Sequence, residues 1–93
     1  MNKGVFIKMK TFTYKITDSN GIHARPAGLL IKKASEFKSA VTLNKDSKSA
    51  DAKKIFSVMS LGAKCGDSIT ITVDGDDQDF ATEELKKFFQ ENL

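Results

Sequence analysis

The chain has one cysteine, Cys65, so it can hold neither an internal disulfide nor a cysteine-rich metal centre. Tryptophan is absent, and proline, histidine and arginine occur once each. No apolar run approaches the roughly 20 residues that a membrane-spanning helix requires. The opening Met-Asn-Lys-Gly-Val-Phe-Ile-Lys is basic but lacks the apolar stretch and cleavage site of a secretion signal. These absences point to the cytoplasm, without direct membrane insertion. Length excludes more. With 93 residues, neither an eight-fold barrel nor a full dinucleotide-binding domain fits. A chain this short buries roughly 60–65% of the surface its unfolded form exposes, so its core must be compact. No repeat, linker or low-complexity block divides it, which leaves one small domain with no expected cofactor or metal.

What is present is unevenly placed. The chain is 40% hydrophobic and 29% charged, and its formal net charge is +3. Residues 1–64 carry 13 basic and 4 acidic side chains, whereas residues 65–93 carry 2 and 8. A basic face for an acidic partner follows, and nucleic acid has to be weighed. The lysines, however, are scattered over every predicted element, with no aromatic stacking set among them, so nucleic-acid binding is not expected. Of the 15 basic residues only Arg25 is arginine. The lone histidine, arginine and proline all fall within His23-Ala24-Arg25-Pro26. Composition alone singles out that segment.

Hydropathy patterning supplies the elements. Phe12, Tyr14 and Ile16 alternate with Thr13, Lys15 and Thr17 as a half-buried strand, followed by the turn cluster Asp18-Ser19-Asn20-Gly21. Ala27, Leu30, Ile31, Ala34 and Phe37 keep helical spacing, which predicts a helix over about residues 24–37. Val41 and Leu43 mark a second strand, and Ala50 and Ala52 a weaker third. Ile55 to Leu61 reads as a short helix stopped by Gly62, and Ile69, Ile71 and Val73 as a strand. Asp76, Asp77 and Asp79 sit at the start of a last helix whose buried stripe is Ala81, Leu85, Phe88 and Phe89. The order β-α-β-β-α-β-α, with one polar strand face, predicts an α+β two-layer sandwich with an antiparallel sheet. A ferredoxin-like arrangement is the competing topology.

The singled-out segment has its own chemistry. The Asn20-Gly21 turn delivers His23 to the start of the first helix, and Pro26 fits the first turn, where a missing N–H costs nothing. Helix starts present unpaired N–H groups and bind anions. The same positive end disfavours imidazolium, and a nucleophile needs the neutral ring. Arg25 opposes the helix dipole there, at a cost of about 0.3–1 kcal/mol when exposed. A bound phosphate would reverse that sign, and guanidinium matches phosphate geometry as ammonium does not. A lone histidine before a helix is otherwise a cap or a surface residue. The combination favours an anion or phosphoryl site.

Gly21-Ile22-His23-Ala24-Arg25-Pro26-Ala27 resembles the active-site signature of the HPr family, the histidine-containing phosphocarriers of the sugar phosphotransferase system. Val58-Met59-Ser60-Leu61-Gly62, the Gly66-Asp67 turn and Ile69-Thr70-Ile71 extend the likeness from about residue 9 to the C-terminus. The resemblance implies an open-faced sandwich of four antiparallel strands with three helices on one face. It further implies a carrier rather than an enzyme. Enzyme I, phosphorylated from phosphoenolpyruvate, would donate to Nδ1 of His23, and a histidine of a sugar permease's IIA domain would accept. Arg25 and the helix start at Ala24 and Arg25 would steady the phosphate. Ile55, Phe56 and Met59 would form an exposed docking patch ringed by Lys32, Lys53 and Lys54. Five apolar residues in seven do exceed what one buried face holds, and methionine suits a surface with several partners.

Two departures from the family pattern stand out. Lys54 occupies the position where many Gram-positive members carry a kinase-regulated serine, so no regulatory serine is expected. Ser57 replaces a residue that is usually glycine. Relatives begin near Met9, so residues 1–8 read as an N-terminal extension, flexible or not native, before a domain at 9–93. A monomer suits a shuttle. The alternative function is a regulatory relative, for example in a nitrogen-linked branch, acting through partner binding.

Overall fold

Seven elements follow the expected order: β1 (Lys10–Lys15), α1 (Ala24–Ala34), β2 (Ala40–Lys45), β3 (Lys48–Asp51), α2 (Ile55–Ser60), β4 (Ser68–Asp74) and α3 (Gln78–Asn92). They come from a computed structural model that describes residues 9–93. The expected extension at residues 1–8 lies outside the described residues.

The strands form one antiparallel sheet in the order β1-β4-β2-β3. Alternation sorts its two faces. Ile69, Ile71 and Val73 of β4 and Val41 and Leu43 of β2 are buried beneath the helices. On the other face hydroxyl, amide and acidic side chains form two rows across all four strands. Thr13, Thr70, Asn44 and Ser49 make one row, and Thr11, Thr72, Thr42 and Asp51 the other. Among the described residues no helix covers these rows, so the sandwich is open-faced. The pairing decides between the two topologies: β4 lies between β1 and β2, where a ferredoxin-like sheet would place β3. The reason is apolar content. β4 contributes three fully buried side chains, while β3 has only Ala50 to bury, so β4 belongs at the centre and β3 at the edge.

The helices take the expected stripes. Ala27, Leu30 and Ala34 of α1 and Ala81, Leu85, Phe88 and Phe89 of α3 are buried. Phe89 sits against the β1 edge, 5.9 Å from the Phe12 ring and 5.4 Å from Tyr14, both edge-on. One boundary differs from the prediction. α1 ends at Ala34, not near Phe37, because the N–H groups of Glu36 and Phe37 turn back to Lys33 and Ala34, three residues earlier rather than four. That tighter turn still brings Phe37 into the core. β3 ends at Asp51, one residue short of Ala52, which is nonetheless fully buried and donates its N–H to the Val41 carbonyl at 2.9 Å.

Candidate functional site

The site is assembled by the loop between β1 and α1. Asp18 starts a tight turn: its carbonyl accepts the Gly21 N–H at 2.9 Å, and its carboxylate Oδ1 accepts the Asn20 N–H at 2.8 Å. Gly21 follows at φ 65°, the left-handed region. The loop is clamped from both sides. Ile22 N–H donates to the Ala63 carbonyl at 3.0 Å, and Ile16 exchanges main-chain bonds with Gly66 and Asp67. From the other side, the Leu93 main-chain oxygen accepts the Thr17 and Asp18 N–H groups at 2.6 and 2.8 Å.

This clamp sets His23 at the N-cap position of α1 with extended backbone, φ −102° and ψ −175°. Its carbonyl receives the first helical bond, from Ala27. The imidazole makes no capping hydrogen bond, and its side chain is 41% exposed. Among the described residues, the Ala24 and Arg25 N–H groups have no backbone acceptor, and Pro26, third in the helix, has no N–H to offer. Two open donors therefore lie beside the ring, where the helix dipole is positive. Arg25 is exposed and has no ion-pair partner among the described residues. The first turn of α1 has no acidic residue to neutralise it. This is the electrostatic layout of an anion site: one cation, two open amides and a half-exposed imidazole.

Two further residues, Asp18 and Leu29, belong to the site. Asp18, read only as part of a turn, faces the ring: its Oδ1 lies 3.8 Å from His23 Nε2. Leu29, 43% exposed, lines the same shallow depression as His23, Arg25 and Pro26, with Glu91 and Asn92 of α3 on the far side. The signal for Leu29 lay in the pattern, since it falls off the Ala27–Leu30–Ala34 stripe and one turn beyond Arg25. The signal for Asp18 did not, because its partner is brought near by the turn. Among the described residues no cluster of histidine, cysteine or carboxylates is arranged to hold a metal.

The short helix α2 splits as its composition requires. Val58 and the following Leu61 are buried, while Ile55, Phe56 and Met59 are 38%, 86% and 38% exposed. α2 packs beside α1. Lys32 and Lys54 are exposed. Lys53 is engaged: its Nζ donates to the Phe37 carbonyl at 2.8 Å.

Comparison with known proteins shows the family. The PTS-HPr family model, described as the PTS HPr component phosphorylation site, matches residues 10–91. Phosphocarrier protein HPr of Mycoplasma capricolum is 43% identical over 79 residues, covering 85% of this chain and 89% of that protein. A solved Mycoplasma histidine-containing phosphocarrier protein superposes with a TM-score of 0.82 at 42% identity, covering 85% of this chain and 90% of that one. The Bacillus subtilis catabolite repression protein Crh, described as a domain-swapped dimer, superposes with a TM-score of 0.72 at 36% identity, over 86% and 92% of the two chains. The chain belongs to the HPr family of phosphocarriers of the phosphotransferase system.

Proposed function

We propose that His23 is the phosphoryl acceptor and donor of this phosphocarrier, and that the chain shuttles the group from phospho-Enzyme I to IIA domains of sugar permeases without itself being an enzyme. The observation that carries the reading is the half-exposed His23 imidazole at the start of α1, beside two open N–H groups and the uncommitted Arg25 guanidinium. In the forward step the Nδ1 lone pair bonds to phosphorus as the phosphorus–nitrogen bond of the Enzyme I phosphohistidine breaks. In the next step His23 is the leaving group and an IIA histidine the nucleophile. Phosphoryl transfer of this kind asks the protein for position and charge stabilisation rather than covalent chemistry. The Ala24 and Arg25 amides and the Arg25 fork provide for the equatorial oxygens. A carrier must not hold the group too tightly, and an exposed, sparsely built site limits that affinity.

Docking is assigned to Ile55, Phe56 and Met59, with Lys32, Lys53 and Lys54 as the basic rim and the chain acting as a monomer. Large exposed apolar side chains on a helix packed against α1 mark an interaction surface, and a flexible methionine adapts to more than one partner.

The test is intact-mass analysis after incubation with phosphoenolpyruvate and a catalytic amount of Enzyme I, run on the wild-type chain, His23→Ala and Arg25→Ala. The expected result is one acid-labile phosphoryl group on the wild type, none on His23→Ala and slower gain on Arg25→Ala. No gain on the wild type, with an Enzyme I competent on another HPr, would overturn the carrier reading in favour of a regulatory relative that acts by binding.

A further inference from the structure

We propose that Asp18 is a positioning residue for His23: its carboxylate keeps the ring proton on Nε2, leaves Nδ1 as the nucleophile, and faces the positive charge the ring acquires when Nδ1 takes phosphorus. The proposal rests on the reading of His23 as phosphoryl acceptor.

The geometry singles out one ring nitrogen. Asp18 Oδ1 stands 3.8 Å from Nε2, too far for a hydrogen bond and close enough for a Coulombic preference. The carboxylate is fixed in place, because the same oxygen accepts the Asn20 N–H at 2.8 Å. The Asp18 backbone is fixed as well, with its N–H on the Leu93 oxygen and its carbonyl on the Gly21 N–H. The side chains of Asp18 and His23 are 32% and 41% exposed, so water screens the interaction only in part. The other charged groups of the depression are Arg25 on α1 and Glu91 on α3.

A neutral imidazole carries one N–H, and the tautomer is chosen by what each nitrogen faces. A carboxylate opposite Nε2 favours the proton there, which leaves the Nδ1 lone pair available. When that lone pair bonds to phosphorus and the donor's phosphorus–nitrogen bond breaks, Nε2 keeps its proton and the ring becomes cationic. Asp18 faces that charge, as the carboxylate of a Ser-His-Asp triad faces its imidazolium. On onward transfer the bonding pair returns to Nδ1 and the ring is again neutral. No proton moves in either step, so one fixed carboxylate serves both.

The experiment compares the wild type with Asp18→Asn, whose amide oxygen can still accept the Asn20 N–H while the charge is lost. Asp46→Asn, at an exposed hairpin residue, controls for net charge. Two quantities are read: the ¹⁵N shifts of the His23 ring in the unphosphorylated protein, and the initial rate of phosphoryl gain from phospho-Enzyme I. Asp18→Asn is expected to raise the Nδ1–H tautomer and to slow the gain about two- to fivefold, the scale of a half-exposed ion pair. Asp46→Asn is expected to change neither. Ring shifts unaltered by Asp18→Asn, or an equal rate loss in Asp46→Asn, would overturn the proposal. The nitrogen shifts need no phosphoryl transfer, so they judge Asp18 separately from the assignment of His23 as acceptor.

Discussion

A side chain at position 21 would run into the neighbouring loop. A Cβ built on Gly21 collides with the Ala63 carbonyl oxygen and lies 2.7 Å from Lys64 Cα, and the backbone there has φ 65°. The close approach lets Ile22 N–H reach Ala63 and so places His23. Gly21→Ala is therefore expected to cost about 1–3 kcal/mol through backbone strain, and to depress phosphoryl gain beyond what the lost folded fraction explains. Gly28, inside α1, is the opposite case, with nothing within 4 Å of a built Cβ. Gly28→Ala is expected to stabilise by about 0.5–1 kcal/mol, since alanine loses less backbone freedom in a helix. Urea unfolding midpoints with unchanged slopes check both. Both glycines are plain in the sequence, yet only Gly21 sits in a motif that marks it. The backbone 42 residues away that makes it irreplaceable is visible only once the chain has folded.

The elements are joined by a few polar staples at their ends. Asp77 precedes α3, where its charge suits the helix dipole, but its carboxylate makes no capping bond to its own helix. It reaches across to the turn after α1, accepting the Ser39 hydroxyl and the Lys38 and Ser39 N–H groups. The Ser39 hydroxyl first, then the Lys38 and Ser39 amides, hold its carboxyl below the ordinary value of 3.8. A lowered folded value means that the stabilisation is whole above the unfolded value and is lost as pH falls through the folded one. Asp77→Asn is thus expected to lower the unfolding midpoint at neutral pH, and the gap from wild type should close in strong acid. A parallel staple joins α1 to α3. Lys33 bonds Glu84 at 3.1 Å, which raises the lysine and lowers the carboxylate. The acidic run at the head of α3 was legible as a helix start. That one of its carboxylates serves another loop was not, because nothing local distinguishes Asp77 from Asp76.

At the scale of the whole molecule, the three helices pack on one face of the sheet, and the other face is left polar among the described residues. Among the described residues Phe56 is the most exposed large apolar residue, at 86%, so its burial contributes little to folding. Phe56→Glu is expected to leave the unfolding midpoint within about 0.5 kcal/mol of wild type, as exposed substitutions do. It should weaken phosphoryl gain from Enzyme I at limiting concentrations, with the loss in apparent affinity. Transfer kinetics unchanged across an Enzyme I titration would remove Phe56 from the docking surface. The expected split of α2 into buried and exposed apolar residues followed from counting, because a two-turn helix cannot bury five apolar side chains on one face.

Local pattern determined the element order, the buried stripes and the candidate nucleophile, because periodicity and rare residues act through near neighbours in the chain. His23 before a first-turn proline needs no fold to be noticed. Tertiary structure decided which strand lies at the centre of the sheet, how far α1 runs, and what surrounds the imidazole. Those outcomes depend on contacts between residues distant in sequence: β4 displacing β3 from the centre, Ala63 against Gly21, and Leu93 against Thr17 and Asp18. Such contacts form only when closing the loops between them is offset by burial of the shared core, and a pattern read along the chain carries no record of that balance.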